Sequence, residues 1–153
     1  MISKINKLRP YTNNFNLLFV EDEDIAREEI SEFLKYLFNN VFTASNGEEA
    51  YEKFSKNKID IIITDIKMPK MDGKELVKKI RQEDRCLPIL ILSQHNEANI
   101  ILECINLRID RYVLKPVVYE ELLQAIQESL DINITKILET PDLAPLYRTQ
   151  NSE

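Results

Sequence analysis

The stretch that decides the fold is Asp60–Gly73, DIIITDIKMPKMDG. Three consecutive isoleucines, Ile61 to Ile63, lie between acids, and the run ends in a turn rich in proline, aspartate and glycine. A short continuous apolar run bounded by turn residues predicts a strand buried on both faces. Its abrupt end at Asp65 needs a reason, because a carboxylate at the end of a buried strand is costly unless something uses or neutralises it.

Outward from this stretch the chain alternates. Strands are predicted at Phe15–Val20, Val41–Ala44, Ile59–Thr64, Pro88–Leu92 and Tyr112–Leu114. Helical spacing follows each: Asp24–Phe38, a helix after the Ser45-Asn46-Gly47 turn, a helix capped by Asp72, Asn96–Leu107 with Ile100, Ile101, Cys104 and Ile105 inward, and Tyr119–Leu130. Five β-α repeats with right-handed crossovers predict an α/β three-layer sandwich of five parallel strands and five helices.

In such sheets functional groups gather beyond the carboxyl ends of the strands. Here those ends carry Glu21-Asp22-Glu23, Asp65, Ser93 and Lys115-Pro116. Crowded carboxylates repel one another and call for a cation. An all-oxygen set with few protein ligands suits Mg²⁺, which binds through one or two carboxylates plus phosphate oxygens. A lysine and a hydroxyl beside it complete a site for a tetrahedral dianion, and a carboxylate can be the nucleophile that receives a phosphoryl group.

These segments resemble the receiver domains of two-component response regulators. LLFVEDE is similar to the family's acidic pair after strand one, DIIITDIKMPKMDG to its phosphoacceptor segment, PILILSQH to the strand ending in a hydroxyl, and YVLKPV to its Lys-Pro segment. The resemblance covers roughly residues 15–130. It implies a flavodoxin-like sheet in the order 2-1-3-4-5, with Asp65 as the acceptor for a phosphoryl group from a sensor histidine kinase or phosphotransfer protein. It further implies Asp22 as a direct Mg²⁺ ligand, Glu21 as a ligand through water, and the Lys67 backbone carbonyl as another, with Mn²⁺ able to substitute. Ser93 and Lys115 would bind phosphoryl oxygens, Ser93 and Tyr112 would form the switch, and Lys115-Pro116 would be cis.

Some positions depart from the commonest pattern. Glu21 replaces an aspartate, Gln94 a small residue, and Arg108-Ile109 a Gly-Ala pair, predicting a stiffer loop. Lys67 and His95 occupy positions that tune dephosphorylation in relatives, and Lys67 is a candidate partner for the acids at rest. Simpler readings apply elsewhere: Asp72 as a helix cap, His95 as an exposed loop residue, Tyr51, Phe54 and Tyr119 as packing, and the Glu pairs 28–29, 48–49 and 120–121 as solvated faces.

The remaining properties set limits. The chain has 153 residues with 20 basic and 26 acidic side chains, a net charge of −6 that argues against direct nucleic-acid binding. Cys86 and Cys104 read as small buried hydrophobes rather than a disulfide or metal site. Apolar runs shorter than a membrane span and an N-terminus without an apolar core predict a soluble, cytoplasmic domain. Residues 1–14 form an N-terminal extension, either disordered or packed on the domain. Residues 131–153 are read as a helical extension to about Glu139 and a loose tail, serving as a linker to an output domain or a dimer contact through the last two helices. Two rival functions stay open: a phosphate-independent interaction module of the same fold, and a phosphatase of the haloacid-dehalogenase type. The second needs an acid two residues after the nucleophile, where this chain has Lys67.

Overall fold

The computed structural model describes residues 1–130, so the expected helical extension and tail over 131–153 lie outside the described residues. Five strands, β1 (Asn16–Val20), β2 (Asn40–Ala44), β3 (Ile61–Thr64), β4 (Ile89–Ser93) and β5 (Arg111–Leu114), form one parallel sheet in the order β2-β1-β3-β4-β5. The helices are α1 (Ile2–Thr12), α2 (Asp24–Leu34), α3 (Gly47–Lys56), α4 (Gly73–Glu83), α5 (Ala98–Asn106) and α6 (Tyr119–Ser129).

Alternation along the strands divides the core in two. Leu17, Phe19, Ile61, Ile63, Leu90 and Leu92 face a layer that includes Ile30, Phe33 and Leu34 of α2 and Leu122, Leu123 and Ile126 of α6. Leu18, Val20, Ile62, Ile89 and Ile91 face the opposite layer, with Ala50 of α3, Leu76, Val77 and Ile80 of α4, and Cys104 of α5. All four residues of β3 are buried, as a central parallel strand requires.

Among the described residues the helix count is six rather than the expected five, because residues 2–12 form a helix that packs on the domain. Leu8 joins the buried cluster of α2 and α6, and Ile5 and Tyr11 pack against it. The Thr12 hydroxyl donates to the Leu37 carbonyl at 2.7 Å, and the amino terminus lies 3.9 Å from Glu120 of α6. Helix α1 thus lies along the side of the domain made by α2 and α6.

Several boundaries also differ. Helix α2 stops at Leu34, and a tight turn (Tyr36 N–H to Phe33 O at 3.1 Å, Leu37 N–H to Leu34 O at 3.0 Å) returns Leu37 and Phe38 to the core. Helix α5 starts at Ala98, and Ile105 faces solvent, because a helix lying against one edge of a sheet cannot bury residues spread over so wide an arc. Cys86 is exposed in the loop before β4, while Cys104 is buried as expected. At the amino edge of the sheet two aspartates repeat one device. Asp60 donates its N–H to the Asn16 carbonyl and accepts the Asn16 N–H at 2.7 Å, and Asp110 does the same with Ile89 at 2.8 Å. Each locks the entry of one strand to its neighbour.

Candidate functional site

The sheet register brings the site residues level. Val20 pairs with Thr64, and Ser93 with Leu114. The backbone pairing continues one residue further: Asp65 N–H donates to Val20 O at 3.1 Å, and Lys115 N–H to Ser93 O at 2.9 Å. Glu21, Asp65, Ser93 and Lys115 therefore stand side by side at the carboxyl edge. The Lys115-Pro116 peptide is cis.

Lys115 joins the acids. Its ammonium donates to Glu21 Oε1 in a short hydrogen bond and to Asp65 Oδ2 at 3.1 Å. The other Asp65 oxygen accepts the Ile66 N–H at 2.7 Å, and Glu21 Oε2 accepts the Glu23 N–H at 3.2 Å. Arg27 of α2 holds the Glu21 carbonyl at 2.8 Å and pairs with Asp24 at 2.5 Å. Sequence reasoning did not single out Arg27, and a spacing of six residues along an acidic helix offered no signal for it.

Burial raises the Glu21 pKa, outweighing the downward pull of Lys115. Burial also acts against the Lys115 charge, yet Glu21 and Asp65 prevail and raise its pKa above the ordinary lysine value. The directions differ in cause because Glu21 is 2% exposed while the Lys115 side chain keeps 19%. The pair is a partly buried ammonium–carboxylate bridge whose acid is the less exposed partner.

Glu21, Asp22 and Asp65 each offer a carboxylate oxygen, and these atoms all lie within 4.8 Å of one another. An open, all-oxygen group with one exposed member fits a hard divalent ion that keeps water in its shell. Lys67, two residues beyond Asp65, is exposed, and the ion pairs of Glu21 and Asp65 run to Lys115 rather than to its side chain.

The β3–α4 loop is tightly set. Asp72 caps α4 by accepting the Glu75 N–H at 2.9 Å. Lys70 takes a left-handed φ of 68°. A methyl on Gly73 would run into the Asp65 carbonyl oxygen and stand 2.8 Å from Ile66 Cα. Only glycine allows α4 to begin this close to the strand that ends at Asp65.

On the β4 side, Ser93 is buried and its Oγ accepts the His95 N–H at 3.2 Å. The Tyr112 hydroxyl donates to the His95 carbonyl at 2.5 Å. Both backbone groups of His95 are thus held by Ser93 and Tyr112. The His95 side chain is half-buried rather than exposed, with Nδ1 3.6 Å from Glu97.

A description of the response regulator receiver domain matches residues 17–127. The chain belongs to this family. Among curated relatives, this receiver domain is 34% identical over 114 residues to a cyclic di-GMP phosphodiesterase of Thermotoga maritima, covering 74% of the chain and 30% of that protein. It is 38% identical over 115 residues to a probable transcriptional regulator, ycf27, of Cyanidium caldarium, covering 75% of the chain and 46% of that protein. The receiver domain therefore spans less than half the length of these two relatives. Among solved structures, a chain of the CheX-CheY-BeF3-Mg complex from Borrelia burgdorferi superposes with a TM-score of 0.74 at 28% identity, over 82% of this chain and 99% of that one. Among the described residues, no helix of the receiver domain is long and apolar enough to cross a membrane.

Proposed function

We propose that this chain is a phosphorylation-driven signalling switch that accepts a phosphoryl group on Asp65 from the phosphohistidine of a sensor histidine kinase or phosphotransfer protein. The observation that carries the reading is one lysine, Lys115, bonded to both Glu21 and Asp65 within a three-carboxylate group. An Asp65 carboxylate oxygen forms the new O–P bond as the P–N bond of the phosphohistidine breaks. The electron pair of that bond leaves with the imidazole, which then takes up a proton.

Glu21, Asp22, Asp65 and the Lys67 carbonyl would hold Mg²⁺, or Mn²⁺ in its place. When bound, the ion neutralises charge on the transferring group. Lys115 is already aimed at Asp65 and would bond a phosphoryl oxygen. Ser93 Oγ would bond another and give up the His95 N–H. Because the Tyr112 hydroxyl is already bonded to the His95 carbonyl, the moving part is the β4–α5 loop, and the ring follows it. The response would emerge on α5, β5 and α6, where Leu102, Ile105 and Leu114 are exposed, toward an output or a second copy. A freely turning-over phosphatase is disfavoured by the exposed lysine at position 67, where that chemistry needs an acid.

The test is intact mass after incubation with Mg²⁺ and acetyl phosphate. The wild type is expected to gain one phosphoryl group and Asp65→Asn none. Equal gain by the mutant would overturn the assignment.

A further inference from the structure

Helix α5 is fastened at one end. It buries a single residue, Cys104, in its second half. There too, Glu103 pairs with Lys74 of α4 at 2.6 Å. Just past the last turn, the guanidinium of Arg81, also on α4, donates to Leu107 O at 3.3 Å and Arg108 O at 2.7 Å. The same group donates to Asp84 O at 3.2 Å and Leu87 O at 2.7 Å, with Asp110 at 3.7 Å as its nearest carboxylate. The Arg81 side chain is 7% exposed. Four carbonyls from two loops are served by one rigid fork, a geometry the point charge of a lysine cannot reproduce. Arg108 takes a left-handed φ of 62° at this join.

The other end of α5 is held more lightly: Ile100 packs against the core only partly buried, and the Glu97 side chain lies 3.6 Å from His95 of the preceding loop. Its N-cap residue, Glu97, makes no capping bond, and Ala98 and Asn99 are exposed. The loop leading into it is tied through His95 to Ser93 and Tyr112, the residues on which phosphorylation of Asp65 would act.

We infer that Arg81 is a positioning residue that pins the carboxyl end of α5, making the helix a one-ended lever whose lightly held amino end receives the signal from Asp65 and whose exposed Leu102 and Ile105 are carried by the swing. The inference rests on the proposed function and adds where the motion stops.

Amide hydrogen exchange of the full chain, with and without beryllofluoride plus Mg²⁺, tests it. In the wild type the addition should change exchange across 94–101 by about tenfold or more and leave 106–111 within about twofold. In Arg81→Gln, exchange across 106–111 should rise roughly tenfold to a hundredfold without any addition, since two charge-assisted bonds to that segment are lost. With beryllofluoride, the change should then spread over all of 94–111. Arg108→Gly keeps the carbonyl that Arg81 binds and should keep the response confined, which general loosening of the loop would not do. If Arg81→Gln does not fold, Arg81→Lys should show the same spread in smaller measure. The lever is overturned if wild-type 106–111 responds as strongly as 94–101, or if the folded Arg81 variants keep the response confined. A wild type that gains a phosphoryl group by mass yet shows no change across 94–101 overturns the lever alone. One that gains none overturns the reading of Asp65 and the lever with it.

Discussion

Leu8→Ala tests whether the N-terminal helix belongs to the cooperative fold. Leu8 is 0% exposed and sits in the cluster formed with α2 and α6. Truncating a fully buried leucine costs about 2–5 kcal/mol, the upper part of the range applying where the surroundings cannot collapse. An 11-residue helix with Pro10 inside it has little stability of its own, so α1 depends on this contact and on the Thr12–Leu37 bond. With a urea m-value of about 1–3 kcal/mol/M, the midpoint should fall by about 1–2 M. The assay is urea unfolding followed by far-UV circular dichroism. Ile2→Ala is the control: Ile2 is 74% exposed, and its loss should stay within about 0.5 kcal/mol. A Leu8→Ala midpoint within about 0.3 M of the wild type would refute the reasoning, since about 0.3 M is well under the smallest cost expected for a buried leucine. The helix would then be an appendage, and the cooperative unit would begin near residue 15.

Two further outcomes are expected. Lys115→Met leaves the buried Glu21 carboxylate without its ammonium and should cost about 3–5 kcal/mol at neutral pH, read by urea unfolding, with part of the loss recovered on adding Mg²⁺; a neutral effect would show that the bridge contributes nothing. Asp60 is raised above its ordinary pKa, with burial the largest cause, so its folded-state pKa exceeds the unfolded one and its contribution, full below the unfolded pKa, is lost as pH rises through the folded value. Asp60→Asn should therefore gain stability relative to wild type on going from acid to neutral pH, and a difference that is flat or reversed between pH 3 and pH 7 in thermal melts would contradict it.

How far the sequence could be read depended on the physics behind each element. The buried run Ile61–Ile63 and the polar or charged residues at the strand ends were legible because a parallel sheet imposes both the apolar run and the place where polarity returns. The register that levels Glu21 with Asp65 follows from the same topology. Helix α1 was missed although Ile2, Ile5, Leu8 and Tyr11 keep a three-residue stripe; Pro10 and the polar residues between them masked it. The exposure of Ile105 was not legible because four apolar residues on one helix do not say how much sheet edge is available to cover them. The Arg81 contacts are to main-chain carbonyls, which leave no mark on residue type. Arg108 is partly legible in retrospect: a position where glycine is frequent is one that needs a left-handed φ, and the backbone takes that conformation here without glycine.

Gly73 leaves no space for even a methyl between the start of α4 and the main chain of Asp65. Eight residues on, the same helix carries Arg81. One rigid rod is thus the bench to which both the charge-bearing residue and the far end of its neighbouring helix are clamped. Under the proposed function, displacements on the β4 side would be measured against that bench, and a signal entering at Asp65 would leave by the β4 side rather than through α4. The direction of transmission would then follow from a position that admits no side chain.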